Sequence, residues 1–216
     1  MADIRFHFDP RCPWCYQTSR WVRQLEAAGE LTVDWAVFSL EVVNLPEGED
    51  PLAIDARSGP SLRTALQLRQ EVGAEAVGRF YEAFGKRLWE EPPPAKIDDL
   101  DAIRASLEEI GADPEVLDRA LADRSTWDAV VAEHQALVDR TAAFGVPTIV
   151  LDGGEGNAIF GPVISTLPVD DAKAVELWRH TEWLTRNAAF AELKRGRPKL
   201  PDLAVIEWRQ QQPPRQ

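Results

Sequence analysis

Residues 9–15 read DPRCPWC, and this stretch joins a β-strand pattern to a helical pattern. Before it, residues 4–8 alternate apolar and polar side chains, which is typical of a strand. After it, residues 12–28 carry apolar side chains at helical spacing, and Pro13 suits a first helical turn, where its missing N–H costs nothing. Residues 31–40 are again typical of a strand. This order, with short connections, predicts a βαβ unit with parallel strands.

The hydrophobic pattern changes twice further along the chain. Residues 59–144 show only helical periodicity, which capping signals and the triple proline at 92–94 interrupt. Residues 147–151 and 158–160 then predict the two strands of a hairpin, and a helical pattern resumes at Asp170.

These patterns predict an α/β fold built from two parts and a tail. The first part is a discontinuous domain of residues 1–58 and 145–200, which holds all the predicted strands. The second part is an all-helical insertion of residues 59–144. The tail of residues 201–216 is rich in Pro, Gln and Arg, and we expect its end to be poorly ordered.

The charge and hydropathy of the chain restrict its partners and its compartment. The 216 residues carry a formal net charge of −12, from 24 basic and 36 acidic side chains. Such a field repels phosphate groups, so we expect neither nucleic acid nor an anionic membrane as a partner. The sequence has no run of about 18 apolar residues, and its charged N-terminus lacks the apolar core of a signal peptide. These features predict a cytoplasmic protein in a reducing compartment.

Cys12 and Cys15 are the only cysteines of the sequence. In a reducing compartment, a C-x-x-C pair is typical of catalysis or metal binding. On a first helical turn both sulfurs lie on one side, where the helix N-terminus favours an anion, so we expect the pKa of Cys12 to fall from ~8.5 to roughly 3.5–7.5. Cys12 would then attack disulfides, and Cys15, one turn deeper, would resolve the mixed disulfide. Pro13 and Trp14 are expected to tune access and redox poise.

A zinc site is the main alternative interpretation of the two cysteines. Zinc takes four ligands, and beyond the pair the sequence offers only His7, His134 and His180, which are widely dispersed. A buried, inert pair is a second alternative, but such cysteines seldom occur at helix-start spacing with a proline between them. We expect no metal.

A second feature lies far from the cysteines, at Gly145-Val146-Pro147-Thr148. A proline is permitted at the first residue of a strand, and together with the C-P-W-C motif we predict a cis Val146–Pro147 bond facing Cys12. This arrangement would expose the backbone N–H and C=O groups of Val146. An incoming thiol or peptide could pair with them as an added strand does.

The motifs together resemble the DsbA family of the thioredoxin superfamily over nearly the whole chain. Within it, the sequence is similar to mycothiol-dependent reductases, which are also named mycothiol-dependent nitroreductases or mycoredoxin-like proteins. The resemblance implies a thioredoxin fold with an all-helical insertion. It is carried by DPRCPWC, Thr18-Ser19-Arg20-Trp21, Phe160-Gly161-Pro162-Val163 with Ser165 and Pro168, and Glu192-Leu193-Lys194-Arg195.

The resemblance implies a homodimeric, cytosolic enzyme that uses mycothiol as a thiol cosubstrate and holds no tightly bound cofactor. It makes Cys12 the attacking thiol, Cys15 its partner and Pro147 the cis-proline. It also suggests that Asn44 and Thr148 line the thiol pocket. Electrons would come from NADPH through a separate mycothiol disulfide reductase, since no G-x-G-x-x-G follows the predicted strands.

The sequence thus predicts a thiol–disulfide oxidoreductase that reduces disulfides or nitroaromatic compounds. Three alternatives remain. A glutathione-type transferase or chromene-carboxylate isomerase has the same fold but typically carries serine in place of Cys12. An oxidant that inserts disulfides into secreted proteins would need export. A non-enzymatic redox sensor would keep both cysteines without multiple turnover.

A few other histidine, aspartate, arginine and tryptophan side chains are expected to have structural or supporting roles. His134 lies on an apolar helical stripe and is expected in the core. Many thioredoxin-like proteins bury a carboxylate beneath the C-x-x-C, and Asp34 is a candidate by its strand position alone. Arg11 would add positive potential if its side chain turned inward. The tryptophans at helical spacing that we expect in the core are Trp127, Trp178 and Trp183.

Overall fold

The sheet that carries the site has the strand order β2-β1-β3-β4 in a computed structural model, which describes residues 2–213. Met1 and residues 214–216, the end of the predicted tail, lie outside the described residues. Strands β1 (Ala2–Phe8) and β2 (Leu31–Val37) are parallel. Strand β3 (Thr148–Leu151) runs antiparallel to β1, and β4 (Ala158–Phe160) runs antiparallel to β3. The predicted βαβ unit and the predicted hairpin are both confirmed.

Helix α1 (Pro13–Ala27) connects β1 to β2, as predicted. The predicted strand over residues 31–40 is too long, because β2 ends at Val37 and a short helix α2 (Leu40–Val43) follows. Ser39 ends the extended conformation: its hydroxyl caps α2 by accepting from the Val42 N–H at 3.2 Å.

Helices alone form between residues 59 and 144 of the described chain. They pack on one another and on β2. A further helix follows the hairpin, and its N-cap Asp170 accepts from the Lys173 N–H at 2.8 Å. The helices are α3 (Gly59–Glu71), α4 (Ala74–Trp89), α5 (Leu100–Glu109), α6 (Val116–Ala122), α7 (Ser125–Thr141) and α8 (Asp171–Arg186). Among the described residues, no helix is long and apolar enough to cross a membrane.

An aromatic cluster joins the sheet to helix α4. Tyr81 stacks on Phe8 with ring centroids 4.0 Å apart, and it meets the edge of Tyr16 at 6.1 Å. Two glycines of α4 allow this close approach, because a Cβ at Gly85 would lie 2.2 Å from the Tyr16 ring and a Cβ at Gly78 would lie 2.5 Å from a tryptophan ring of β2. Since Tyr16 directly follows Cys15, this packing supports the start of α1.

The structure contradicts the prediction for one tryptophan and adds a helix in the tail. Trp127 and Trp178 are buried as expected, but Trp183 is 65% exposed because it lies on the solvent side of α8. Within the tail, helix α9 (Ala204–Gln210) forms, and the sequence patterns do not predict it. The buried side chains of Leu203 and Val205 hold this helix against α4.

Candidate functional site

Cys12 is the N-cap residue of α1, and Pro13 is the first residue of the helix. The Cys12 Sγ accepts a hydrogen bond from the Cys15 N–H at 3.3 Å, so a sulfur takes the place of the oxygen that usually caps a helix. Cys12 is half-buried, Cys15 is fully buried, and both are free thiols. The two sulfurs are therefore unequal, and Cys12 is the one that an external molecule can reach.

The chain brings Val146 to Cys12 although 134 residues separate them. The Val146–Pro147 peptide bond is cis. The Cys12 thiol donates to the Val146 C=O with a sulfur–oxygen distance of 3.6 Å. This contact forms because β3 pairs with β1, and the loop before β3 therefore lies at the same end of the sheet as the start of α1.

The two residues suggested for a thiol pocket are engaged in local contacts. The Thr148 side chain is buried, and its hydroxyl donates to the Gly145 C=O at 2.8 Å. Asn44 is exposed at the end of α2, where its amide donates to the Leu40 C=O at 2.6 Å. Neither side chain hydrogen-bonds to Cys12 among the described residues, so the thiol pocket stays a prediction.

Cys15 lies in a dry environment beneath Cys12. Its thiol donates to the His7 C=O with a sulfur–oxygen distance of 3.7 Å. Burial raises the pKa of Cys15 well above its ordinary value. The Tyr81 hydroxyl lies beside it, is fully buried, and makes no hydrogen bond among the described residues. An unpaired buried donor next to a buried thiol is available to a thiolate at that position.

The pKa of Cys12 departs from the sequence prediction. Burial raises it to about 11, although the backbone N–H groups of Cys15 and Trp14 lower it and the helix N-terminus favours an anion. The helix terminus alone predicts a lowered pKa, whereas desolvation, which the tertiary packing around the motif creates, raises it. The predicted direction of the Cys12 pKa shift is therefore wrong because of tertiary packing.

The buried carboxylate of the site is Asp9, and the suggestion of Asp34 is wrong. Asp34 pairs with Arg5 at 2.7 Å at the surface. Asp9 follows β1 directly and is fully buried, and its oxygens accept from the Arg11 and Leu40 N–H groups at 2.9 and 2.8 Å. Burial raises the pKa of Asp9 to about 6, so this carboxyl titrates close to neutral pH. The sequence signal that could identify Asp9 is its position, directly after a buried strand and just before the cysteine motif.

The positive charge next to Cys12 in sequence is directed away from it. The Arg11 guanidinium pairs with Glu41 at 2.9 Å instead of turning inward. Glu41 also accepts from the Ser58 hydroxyl at 2.9 Å. His134 is buried in the core as expected, with Nδ1 accepting from the Ser39 N–H at 3.3 Å. Among residues 2–213, no group of three or more His, Cys, Asp or Glu side chains is arranged to hold a metal ion.

A pH profile of Cys12 alkylation tests these electrostatics. Iodoacetamide reacts with the thiolate, so the alkylation rate of Cys12 should keep rising above pH 8.5, since burial raises its pKa. The Asp9→Asn variant should shift the midpoint to lower pH, because the Asp9 charge raises the pKa of Cys12. Asp34→Asn removes the same charge at the surface and should leave the midpoint in place.

The rates would be followed by mass spectrometry of the peptide that contains Cys12. A wild-type midpoint below pH 7.5 would contradict the dominance of burial. Equal shifts in Asp9→Asn and Asp34→Asn would mean that the carboxylate acts only through the overall charge. Circular dichroism of each variant separates a loss of folding from a change in thiol reactivity.

Known proteins match both the sequence and the fold. A family model described as Rv2466c-like, mycothiol-dependent nitroreductase Rv2466c, matches residues 11–195. The chain is 37% identical over 208 residues to the uncharacterized protein Rv2286c of Mycobacterium tuberculosis, and the match covers 95% of this chain and 86% of that protein.

Two solved structures resemble the chain at low identity. The cytosolic disulfide reductase DsbM from Pseudomonas aeruginosa, solved with GSH, has a TM-score of 0.58 at 18% identity, over 83% of this chain and 99% of that one. A 2-hydroxychromene-2-carboxylate isomerase has a TM-score of 0.57 at 19% identity, over 87% of this chain and 98% of that one. These likenesses establish the thioredoxin-like α/β fold of DsbA-type proteins. The family match over residues 11–195 shows that the chain belongs to the Rv2466c-like family of mycothiol-dependent nitroreductases.

Proposed function

We propose that the protein is a cytosolic, mycothiol-dependent thiol–disulfide oxidoreductase that reduces disulfides or nitroaromatic compounds. The observation that carries the proposal is the position of Cys12, whose sulfur caps α1, meets the Val146 carbonyl and lies over the buried Cys15. The family match and the GSH-bound DsbM structure support a low-molecular-weight thiol as its partner.

The proposed cycle with a disulfide substrate uses the two sulfurs in sequence. The Cys12 thiolate attacks one substrate sulfur, which forms a mixed disulfide and releases the first product thiol. Cys15 then attacks the Cys12 sulfur, which closes the Cys12–Cys15 disulfide and releases the second product thiol. Two mycothiol molecules reduce the protein disulfide and leave as mycothiol disulfide, which a separate NADPH-dependent reductase recycles. For a nitro group, the same two electrons and two protons yield the nitroso compound and water.

The second attack requires Cys15 to lose its proton in a dry site. Asp9 is close enough that its charge raises the pKa of both cysteines, and near neutral pH it is partly ionised and able to accept a proton. The Tyr81 hydroxyl, which has no other partner among the described residues, would donate to the resulting thiolate. The Val146 carbonyl would orient the incoming thiol or peptide, since backbone groups pair with extended ligands in this way.

The raised pKa of Cys12 favours a reductant over an oxidant. A C-x-x-C protein that strongly stabilises the thiolate of its attacking cysteine stabilises its reduced form and becomes oxidising, as DsbA does with a cysteine pKa of about 3.5. Burial at Cys12 acts in the opposite direction, because it penalises the thiolate. This electrostatic balance supports reduction of substrates, and it disfavours the insertion of disulfides into other proteins.

A coupled assay tests the proposal. The reduced protein would be supplied with NADPH, mycothiol disulfide reductase and mycothiol, together with a disulfide or a nitroaromatic substrate. We expect NADPH oxidation that needs the protein, the thiol and the substrate together. Turnover with glutathione or thioredoxin systems but none with mycothiol would overturn the mycothiol assignment. A single turnover without recycling would indicate a redox sensor.

The oligomeric state belongs to the same proposal. The resemblance to mycothiol-dependent reductases implies a homodimer, which size-exclusion chromatography with light scattering would measure at the concentrations of the assay. A monomer that retains full turnover would contradict the dimer without affecting the chemistry.

A further inference from the structure

A segment between α8 and α9 brings an arginine to the active-site motif. The Arg197 guanidinium lies over the ring of Trp14, 4.7 Å from its centroid. Trp14 is one of the two residues between the cysteines, and the guanidinium is near enough for its charge to act on Cys12. Arg197 lies two residues beyond the end of the family match, which ends at residue 195. This contact is therefore a feature of the C-terminal segment of this chain.

Contacts just after Arg197 hold the segment in place. The Lys199 C=O accepts from the Ser165 hydroxyl at 3.1 Å, and the Asp202 N–H donates to the Ser165 C=O at 2.8 Å. Leu203, immediately downstream, is buried. The segment is thus attached to the loop before α8 and to the core, which limits how far the Arg197 side chain can move from Trp14.

Among the described residues, the charge of Arg197 has no ion-pair partner, in contrast to that of Arg11. Arg11 is neutralised by Glu41 at 2.9 Å. Arg197 forms no ion pair within the part of the chain that the structure describes, and it is exposed. Its charge is also one of the influences that lower the pKa of Cys12. A stacked guanidinium keeps its edge N–H groups free, and their planar fork matches a carboxylate.

We propose that Arg197 is a specificity-determining residue that binds a carboxylate on the substrate while the reacting sulfur or nitro group lies at Cys12. The inference rests on the proposed function and adds the substrate class, namely disulfides or nitroaromatic compounds that carry an anionic group. Stacking on Trp14 orients the guanidinium. The protein as a whole is acidic, with a net charge of −12, so this local positive charge is what admits an anion.

Two aromatic disulfides that differ in charge test the proposal without mycothiol. The reduced full-length protein would be mixed with dithiobis(nitrobenzoate), which carries a carboxylate on each ring, and separately with uncharged dithiodipyridine. Each disulfide accepts two electrons from Cys12 and Cys15 and is released as two thiols, which are followed by absorbance. The ratio of the two rates cancels the thiolate fraction of Cys12, because the same thiolate attacks both reagents.

We expect Arg197→Gln to lower this ratio about threefold at low salt, as expected for one exposed charge near the ligand. Added salt should reduce the difference in this ratio between the wild type and Arg197→Gln, because it screens the charge of Arg197 in the wild type and the net negative charge of both proteins. Arg197→Lys keeps the charge and should retain most of the ratio. Arg195→Gln is the matched control, since it removes the same charge two residues earlier and should leave the ratio unchanged.

Equal ratios in Arg197→Gln and the wild type would overturn the inference, as would an equal loss in Arg195→Gln. A loss in Arg197→Lys as large as that in Arg197→Gln would assign the effect to packing on Trp14 and would also overturn it. If the wild-type protein reduced neither disulfide, the proposed oxidoreductase function itself would fail. Failure of the Arg197 inference and failure of the oxidoreductase function therefore give different results in this experiment.

Discussion

Replacing Cys12 with serine should reduce mycothiol-dependent turnover by roughly a thousandfold or more, the loss typical of removing an essential nucleophile. Cys12 is the accessible sulfur, and its contacts with the Cys15 N–H and the Val146 carbonyl place it where a substrate arrives. A serine hydroxyl would keep the cap of α1, so the fold should persist. The measurement is the initial rate of NADPH oxidation in the coupled assay, with circular dichroism as a check of folding.

Cys15→Ser is the matched variant, because it removes the other sulfur of the same motif. Cys15 is fully buried and contacts the His7 carbonyl, so its only accessible target is a disulfide formed at Cys12. We expect this variant to accumulate a mixed disulfide between Cys12 and mycothiol or the substrate, visible as an added mass on the intact protein. Turnover that survives Cys12→Ser, or a mixed disulfide on Cys15 in that variant, would reverse the roles assigned here.

Replacing Gly85 with alanine should destabilise the protein by about 2 kcal/mol, the usual cost of overpacking a tight contact. The new Cβ would lie 2.2 Å from the Tyr16 ring, so either α4 or the start of α1 must shift. Alanine is favoured over glycine in a helix by about 1 kcal/mol, so a loss of stability would come against the local propensity. Urea unfolding would measure the change in the free energy of unfolding.

Alanine substitutions at two further glycines show whether the loss of stability depends on tight packing. Gly78→Ala should also destabilise the protein, since its Cβ would lie 2.5 Å from the Trp35 ring. Gly196→Ala has no neighbouring atom within 4 Å of the new Cβ and should be nearly neutral. Equal stability of Gly85→Ala and Gly196→Ala would contradict the tight packing of α4 on Tyr16. Because Tyr16 follows Cys15, Gly85→Ala should also slow turnover.

Local patterns predicted the elements that local chemistry determines. The alternation in β1, the proline at the start of α1 and the Asp170 cap of α8 all act within a few residues. The prediction was incomplete or wrong where a distant partner decides the outcome. Helix α9 forms because Leu203 and Val205 are buried where the helix packs against α4, which is distant in sequence. Trp183 has the helical spacing of a core residue, but its side chain is 65% exposed because the described residues leave that side of α8 largely uncovered.

The sequence alone determined that this protein has an α/β fold with its two cysteines at the start of a helix, because hydrophobic period, capping and C-x-x-C spacing are local properties. Only the tertiary structure decided the electrostatics of the site. The fold brings the Val146 loop onto Cys12 and partly desolvates the thiol, so its pKa rises instead of falling. Asp9 becomes the buried carboxylate, and Arg197 reaches Trp14 from a segment 183 residues away in sequence. Desolvation and long-range charge depend on what surrounds a group in three dimensions, and the spacing of residues along the chain does not contain that information.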